Sequence, residues 1–206
     1  MEKHTMPKTL TIHYYSILML LLHATALLAA GAPHIHKTTL ISPRPEAVEK
    51  WLGSVPTAGP KKISKLRFYF HNRWSSKKPT VVGVAEANSS AASPTGFGQV
   101  VVMDNPMTEG PEPDSKMVGW ARGIYASTAM EEIGLLLVTS FVFNDRDGST
   151  ISVVGHNRIL QKYREMPVVG GTGRFRLAQG VLTVRTLWFN TITNNAVVEC
   201  NLMLLH

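Results

Sequence analysis

From residue 63 onward the chain repeats strand-like alternation and offers no stretch patterned as a long amphipathic helix. The first such segment is ISKLRFYFHN, where Leu66, Phe68 and Phe70 alternate with Arg67, Tyr69 and His71. Apolar residues at every second position mark a strand buried on one face. Seven more segments follow: TVVGVAEA, FGQVVVMDN, MVGWARGIYAS, GLLLVTSFVFN, STISVVGHN, GRFRLAQGVLTVRT and AVVECNLMLL. Turn-rich sequence separates them, as in NSSAASPTG, NPMTEGPEPDSK, NDRDGS and NTITNN. Short connections without crossover helices make the pairing antiparallel and the domain all-β, a barrel or a sandwich. Gly83, Gly119, Gly123, Gly155 and Gly180 lie inside the strand patterns, where glycine marks bends at barrel corners. They favour a closed eight-stranded antiparallel β-barrel. Such a barrel is either filled by side chains or just wide enough to hold one small ligand, so a central cavity with a loop-shaped mouth is the default site.

The stretch EMPVVGGTGRFRLAQG, Glu165 to Gly180, concentrates glycine. A phosphate-cradling loop would need a helix directly after the glycines and a Lys-Ser/Thr pair. Neither follows, because RFRLAQGVLTVRT alternates with period two. Gly170, Gly171 and Gly173 are therefore expected to form a sharp turn leading into a long strand. Asp104 and Asn105, beside Pro106 in MDNPMT, are expected to cap a tight turn.

Ahead of the domain, Lys3 and Lys8 precede an apolar run from Ile17 to Ala32 that ends in small residues. This is the pattern of a secretory signal peptide, and the run is short for a membrane span. Residues 1–31 are expected to be the signal peptide, 32–62 a flexible Pro-rich N-terminal arm, and 63–206 the β-barrel domain. No membrane association is expected after cleavage. The formal charge of +7 is scattered, without the aromatic-interleaved basic motif of a nucleic-acid binder. The single cysteine, Cys200, cannot form an internal disulfide and reads as a small core residue. His34, His36, His71, His156 and His206 form no HExxH or Cys/His cluster, and no GxSxG elbow is present. No metal, cofactor or redox centre is expected.

Several separated segments resemble the dirigent protein family of land plants. They are LRFYFHN, VVMDNPMTEGPEPDSKMVGWARGIYAS, FVFNDRDGSTISVVGHNRI, MPVVGGTGRFRLAQG and NAVVECNLMLLH, in family order. The resemblance implies an eight-stranded barrel, usually a homotrimer, secreted to the apoplast and commonly N-glycosylated. The one Asn-x-Ser/Thr sequon begins at Asn88. Family members bind phenolic radicals made by an external laccase or peroxidase, and impose stereochemistry on their coupling. Some resemble pterocarpan synthases, which dehydrate an isoflavonoid alcohol through a quinone methide. A non-catalytic phenol-binding cell-wall protein is a third expectation.

The resemblance also implies site residues, carried over position by position. The family's first-strand aspartate corresponds to Asn72, and a second aspartate to Asn157 in VGHNRI. The pocket arginine corresponds to Arg164, and the tyrosine of the GxYA motif is Tyr125 in GIYAS. Tyr125 and Arg164 are the candidate catalytic residues, and Asn72, Asn157, Tyr125 and Arg164 the candidate substrate-binding set. Asparagine donates and accepts hydrogen bonds but supplies no acid, which departs from the pinoresinol-forming pattern. Trp120 stands where the family has an arginine. Trp120 and Arg122 share a strand face opposite Tyr125. Plainer roles stay open: Tyr125 as a core aromatic, Arg164 as a solvated turn residue, Asn72 and Asn157 as strand ends.

Overall fold

The computed structural model describes residues 62–144 and 148–205. The expected signal peptide, nearly all of the expected arm, Asp145, Asp147 and His206 lie outside the described residues. Nine strands follow one another: β1 (Ile63–Asn72), β2 (Val81–Ala85), β3 (Val100–Thr108), β4 (Met117–Ser127), β5 (Leu135–Phe143), β6 (Thr150–Asn157), β7 (Arg164–Gly171), β8 (Gln179–Phe189) and β9 (Ala196–Leu205). All pairings are antiparallel, and the hydrogen-bonded order runs β1-β9-β8-β7-β6-β5-β4-β3. Strand β3 returns to β1 through Tyr69↔Thr108 and Phe70↔Met107, which closes a ring of eight. The short β2 pairs with the other half of β3.

Alternation sets the two faces. On β9, Val198, Cys200, Leu202 and Leu204 point inward and are buried, while Asn201 and Met203 are exposed. Close approach between strands explains two of the glycines. A Cβ on Gly123 would lie 2.1 Å from the Val138 carbonyl oxygen, and one on Gly180 would lie 2.0 Å from that of Met203. At these points the neighbouring backbone occupies the space a side chain needs. On the outer face Glu199 is buried between β1 and β8, bonded to Arg67, to Arg185 Nη2 at 2.7 Å and to Tyr69 Oη at 3.4 Å. Burial opposes its ionisation, but the hydrogen bonds and charges of Arg185 and Arg67 outweigh it and hold the carboxyl below its ordinary range.

Two expectations are corrected. The run REMPVVGG is a strand, β7, with Arg164, Met166 and Val168 turned inward and Pro167 outward. Proline and glycine obscure that alternation in the sequence. The turn begins after Gly171, and RFRLA is not strand. A 3₁₀ turn at Gly173–Phe175 carries Phe175 and Ala178 into the barrel end, with Leu177 at φ 60°. Gly173, at φ 60°, lets the chain pass Ser149, whose Oγ lies 2.4 Å from where a Cβ would stand. Burial of the Phe175 ring overrides the period-two pattern.

The second correction concerns MDNPMT, which continues β3 without a turn. Here β3 changes partner, from β2 at Met103 to β1 at Met107. Pro106, which cannot donate to a ladder, sits in that gap, and Asn105 fills it from inside.

The ring is solid at one end. Phe68 meets Phe141 at 4.9 Å and Phe143 at 5.7 Å in edge-to-face contacts, and Phe143 meets Phe175 at 5.8 Å. Cys200 is fully buried in this interior, and burial pushes its thiol pKa up, which makes it an inert core residue.

His71 makes a pH-dependent contribution. It is buried, with Nε2 2.7 Å from Thr108 Oγ1, whose own hydrogen goes to the Gly110 carbonyl at 2.7 Å. Nε2–H is therefore the donor to Thr108. Burial first, then the Arg73 charge, lowers the His71 pKa. A histidine that titrates lower when folded stabilises fully above its unfolded pKa of about 6.5 and loses that contribution as pH falls toward the folded value. The urea midpoint is expected to fall between about pH 7 and about pH 5, with a flatter profile in His71→Gln. A wild-type profile that matches the variant contradicts the assignment.

Candidate functional site

The strand ends opposite the aromatic plug leave the barrel hollow. A cavity of about 950 Å³ opens there, at the upper end of the range typical of small-molecule sites. Its walls are apolar, with Phe70, Met103, Leu137, Phe141, Leu182 and Val198 among them. Polar groups gather at strand ends near the mouth. Asn72 ends β1, Asn157 ends β6 and Arg164 begins β7, while Tyr125 lies near the end of β4. All four line this one cavity.

The splay of β6 from β7 makes room at the mouth. Their pairing spans only Ile151–Val153 with Val168–Gly171, and Pro167, with no N–H, lies just beyond it. Gly155 accepts the side chain of Met166 across this seam, 2.9 Å from the position of a would-be Cβ. The connecting residues Ile159 and Leu160 form part of the cavity rim.

Arg164 holds that connection. Its Nη1 donates to the carbonyls of Ile159 and Gln161 at 3.3 and 3.2 Å and to Thr186 Oγ1 at 2.9 Å. The residue is only 5% exposed, which rejects the solvated-turn reading. Its Nε and the Oδ1 of Asn157 are buried without a hydrogen-bond partner. Burial lowers the guanidinium pKa, with the nearby Cys200 acting the other way. A guanidinium starts so high that it keeps its charge at neutral pH.

Tyr125 is partly buried, and burial pushes its phenol pKa well above the ordinary tyrosine value, partly offset by a hydrogen bond from the Trp74 side chain. The phenol is a neutral donor across the physiological range. Trp120 and Arg122 lie on the outside as their spacing predicts. The Arg122 guanidinium sits 5.5 Å over the Trp120 ring, and its Nε donates to Asp104 Oδ1 at 2.9 Å.

Sequence reasoning missed Trp74, Asn105, Thr186 and Glu86. Trp74 was legible in principle, because Phe70, Asn72 and Trp74 follow at period two and all three line the cavity. Asn105 was hidden by the adjacent proline. Glu86 is the one carboxylate among the described lining residues, and its Oε2 accepts from Gln99 Nε2 at 3.3 Å. Among the described residues no three His, Cys, Asp or Glu side chains converge as a metal site would require. The arrangement can hold an aromatic guest in an apolar sleeve and address its oxygens with neutral and cationic donors.

The family profile described as "Dirigent-like protein" matches residues 63–205, which is the whole barrel. The chain belongs to the dirigent family. Dirigent protein 23 of Arabidopsis thaliana is 43% identical over 161 residues, covering 77% of this chain and 86% of that protein. Pterocarpan synthase 1 of Glycine max is 45% identical over 147 residues, covering 70% of this chain and 79% of that one. The solved structure of the pterocarpan synthase dirigent protein PsPTS1 superposes with a TM-score of 0.67 at 42% identity, over 72% of this dirigent chain and 98% of that structure.

Proposed function

We propose that this chain is a secreted dirigent protein that imposes stereoselectivity on the coupling of phenoxy radicals made by a separate laccase or peroxidase. The observation that carries the reading is the cavity: apolar, closed at one end by aromatic packing, and rimmed by Tyr125, Trp74, Asn72, Asn157 and Arg164. Two delocalised radicals combine in water at several positions and on either face. A pocket that fixes the pose of each ring removes that freedom, which is catalysis by orientation. The test is an oxidase with a panel of monolignols, with and without the protein, read by chiral chromatography. One enantiomer in excess supports the reading, and racemic product throughout rejects it.

A second reading draws on the relatives named pterocarpan synthases, at 43–45% identity. In it the cavity holds an isoflavanol that loses water through a quinone methide, and the partly buried, neutral Tyr125 is the donor beside it. Turnover with the oxidase omitted distinguishes this dehydratase from the coupling protein. Saturable binding that leaves product distributions unchanged in both assays points to a phenol-binding wall protein.

Self-association as a homotrimer belongs to the same proposal. Outward-facing Val82, Val102, Ile124, Val138 and Val154 are direct partners across β2, β3, β4, β5 and β6. The first four are 54%, 41%, 42% and 37% exposed, an apolar row that a second copy would cover. Sedimentation is expected to show a trimer for the native chain and a monomer for Ile124→Lys. A native monomer removes this part of the proposal. Asn88 lies on an exposed turn with room for a glycan, consistent with passage through a secretory pathway.

A further inference from the structure

The hydrogen bonds around Asn72 determine which end of its amide the cavity sees. The chain of contacts starts outside the cavity, where the backbone N–H of Arg73 donates to Thr80 Oγ1 at 3.2 Å. Thr80 Oγ1 is 2.6 Å from Asn105 Oδ1 and 3.4 Å from the His71 carbonyl. A hydroxyl hydrogen needs an acceptor, and the shorter distance is ordinary for O–H···O while the longer is too long for it. The Thr80 hydrogen therefore goes to Asn105, and the Asn105 oxygen faces Thr80. Its nitrogen then faces Asn72, and Nδ2 donates to Asn72 Oδ1 at 2.5 Å, with Met103 Sδ a weaker acceptor at 3.5 Å. Reversing one amide alone would set two N–H₂ groups, or two carbonyl oxygens, against each other, and reversing both would leave the Thr80 hydroxyl only the distant His71 carbonyl to donate to.

Asn105 has no exposure and Asn72 lines the cavity. With its oxygen already engaged, Asn72 has only the Nδ2 end free, and among the described residues that end meets no acceptor. A carboxylate at position 72 would accept from Asn105 equally well, but would leave a second acceptor oxygen for the cavity. Asparagine here gives the wall the opposite polarity.

We propose that Asn72 presents its amide N–H to the cavity, and so selects guests that bring an acceptor oxygen, a carbonyl above all, to the β1 wall. This rests on the cavity being the guest site. Thr80 and Asn105 act through Asn72 as positioning residues, and the three together form a specificity element.

The test compares propiophenone with propylbenzene, which differ in one carbonyl, by calorimetric titration of the native protein, Asn72→Leu and Asn72→Asp. The ratio of their affinities is expected to favour the ketone in the native protein. It should fall about three- to tenfold in Asn72→Leu, the worth of one hydrogen bond, and further in Asn72→Asp. In the native protein, the side-chain amide proton resonances of Asn72 should shift with the ketone and stay in place with the hydrocarbon, a readout that needs no variant. Both probes binding with a ratio that neither substitution alters, and with unmoved amide resonances, overturns the assignment while leaving the cavity reading intact. Neither probe binding the native protein overturns both.

Discussion

Arg164→Ala is expected to reduce the stereochemical excess of coupled product to near zero while the barrel still folds. Arg164 combines two jobs at the mouth. Through Nη1 it joins the β6–β7 connection to β8, by way of Ile159, Gln161 and Thr186. Its Nε is a buried donor with no protein partner, on a residue that lines the cavity. Alanine removes the cation and frees Ile159 and Leu160, so the rim loses both its shape and its strongest donor. Orientation is the whole of the proposed mechanism, so a looser rim should act on selectivity far more than on binding. Stability should fall by about 1–3 kcal/mol, because the two carbonyls lose a charged donor in a partly buried place. Arg164→Lys keeps the charge without the planar fork and should recover only part of the excess. Chiral chromatography of the product, alongside urea unfolding, reads both effects. Undiminished selectivity in a folded Arg164→Ala protein would falsify the assignment of Arg164 to the site.

Phe141→Ala should be the most destabilising single change in the barrel. The ring is 1% exposed, meets Phe68 edge-to-face at 4.9 Å and forms the floor of the cavity. Truncating a buried phenylalanine costs about 3–5 kcal/mol, from lost transfer energy and from the void left behind. Here the void joins the existing cavity, so neighbours cannot close it by small shifts. The measured quantity is the denaturant midpoint at constant slope. A loss below about 1 kcal/mol would mean that the closed end is loosely packed rather than a tight aromatic plug.

Much of the candidate site was legible before any coordinates. Tyr125, Asn72, Asn157 and Arg164 line one cavity, as the resemblance implied they would share one pocket. Period two along MVGWARGIYAS separated Tyr125 from Trp120 and Arg122 correctly, because a strand side chain has only two directions to take. The failures have a common cause. Local preference alone makes turns of the proline and glycine in REMPVVGG and MDNPMT, yet each lies where the sheet tolerates it. Pro167 stands where β6 and β7 part, and Pro106 where β3 exchanges one partner for another. Which carbonyls need a donor is a property of the neighbouring strand, and a neighbour is not written in the local sequence.

By itself, then, the sequence determined the fold class, the inward face of most strands, the inert buried role of Cys200 and the family. These depend on residue type and on a spacing of two, which any chain segment carries with it. Tertiary structure alone decided that Phe175 plugs one end, that Trp74 joins the rim and that Asn105 turns the Asn72 amide. Those outcomes come from contacts between residues far apart in the chain, such as Asn72 with Asn105, and the direction of that amide depends on which of two acceptors, 2.6 and 3.4 Å away, takes the Thr80 hydrogen.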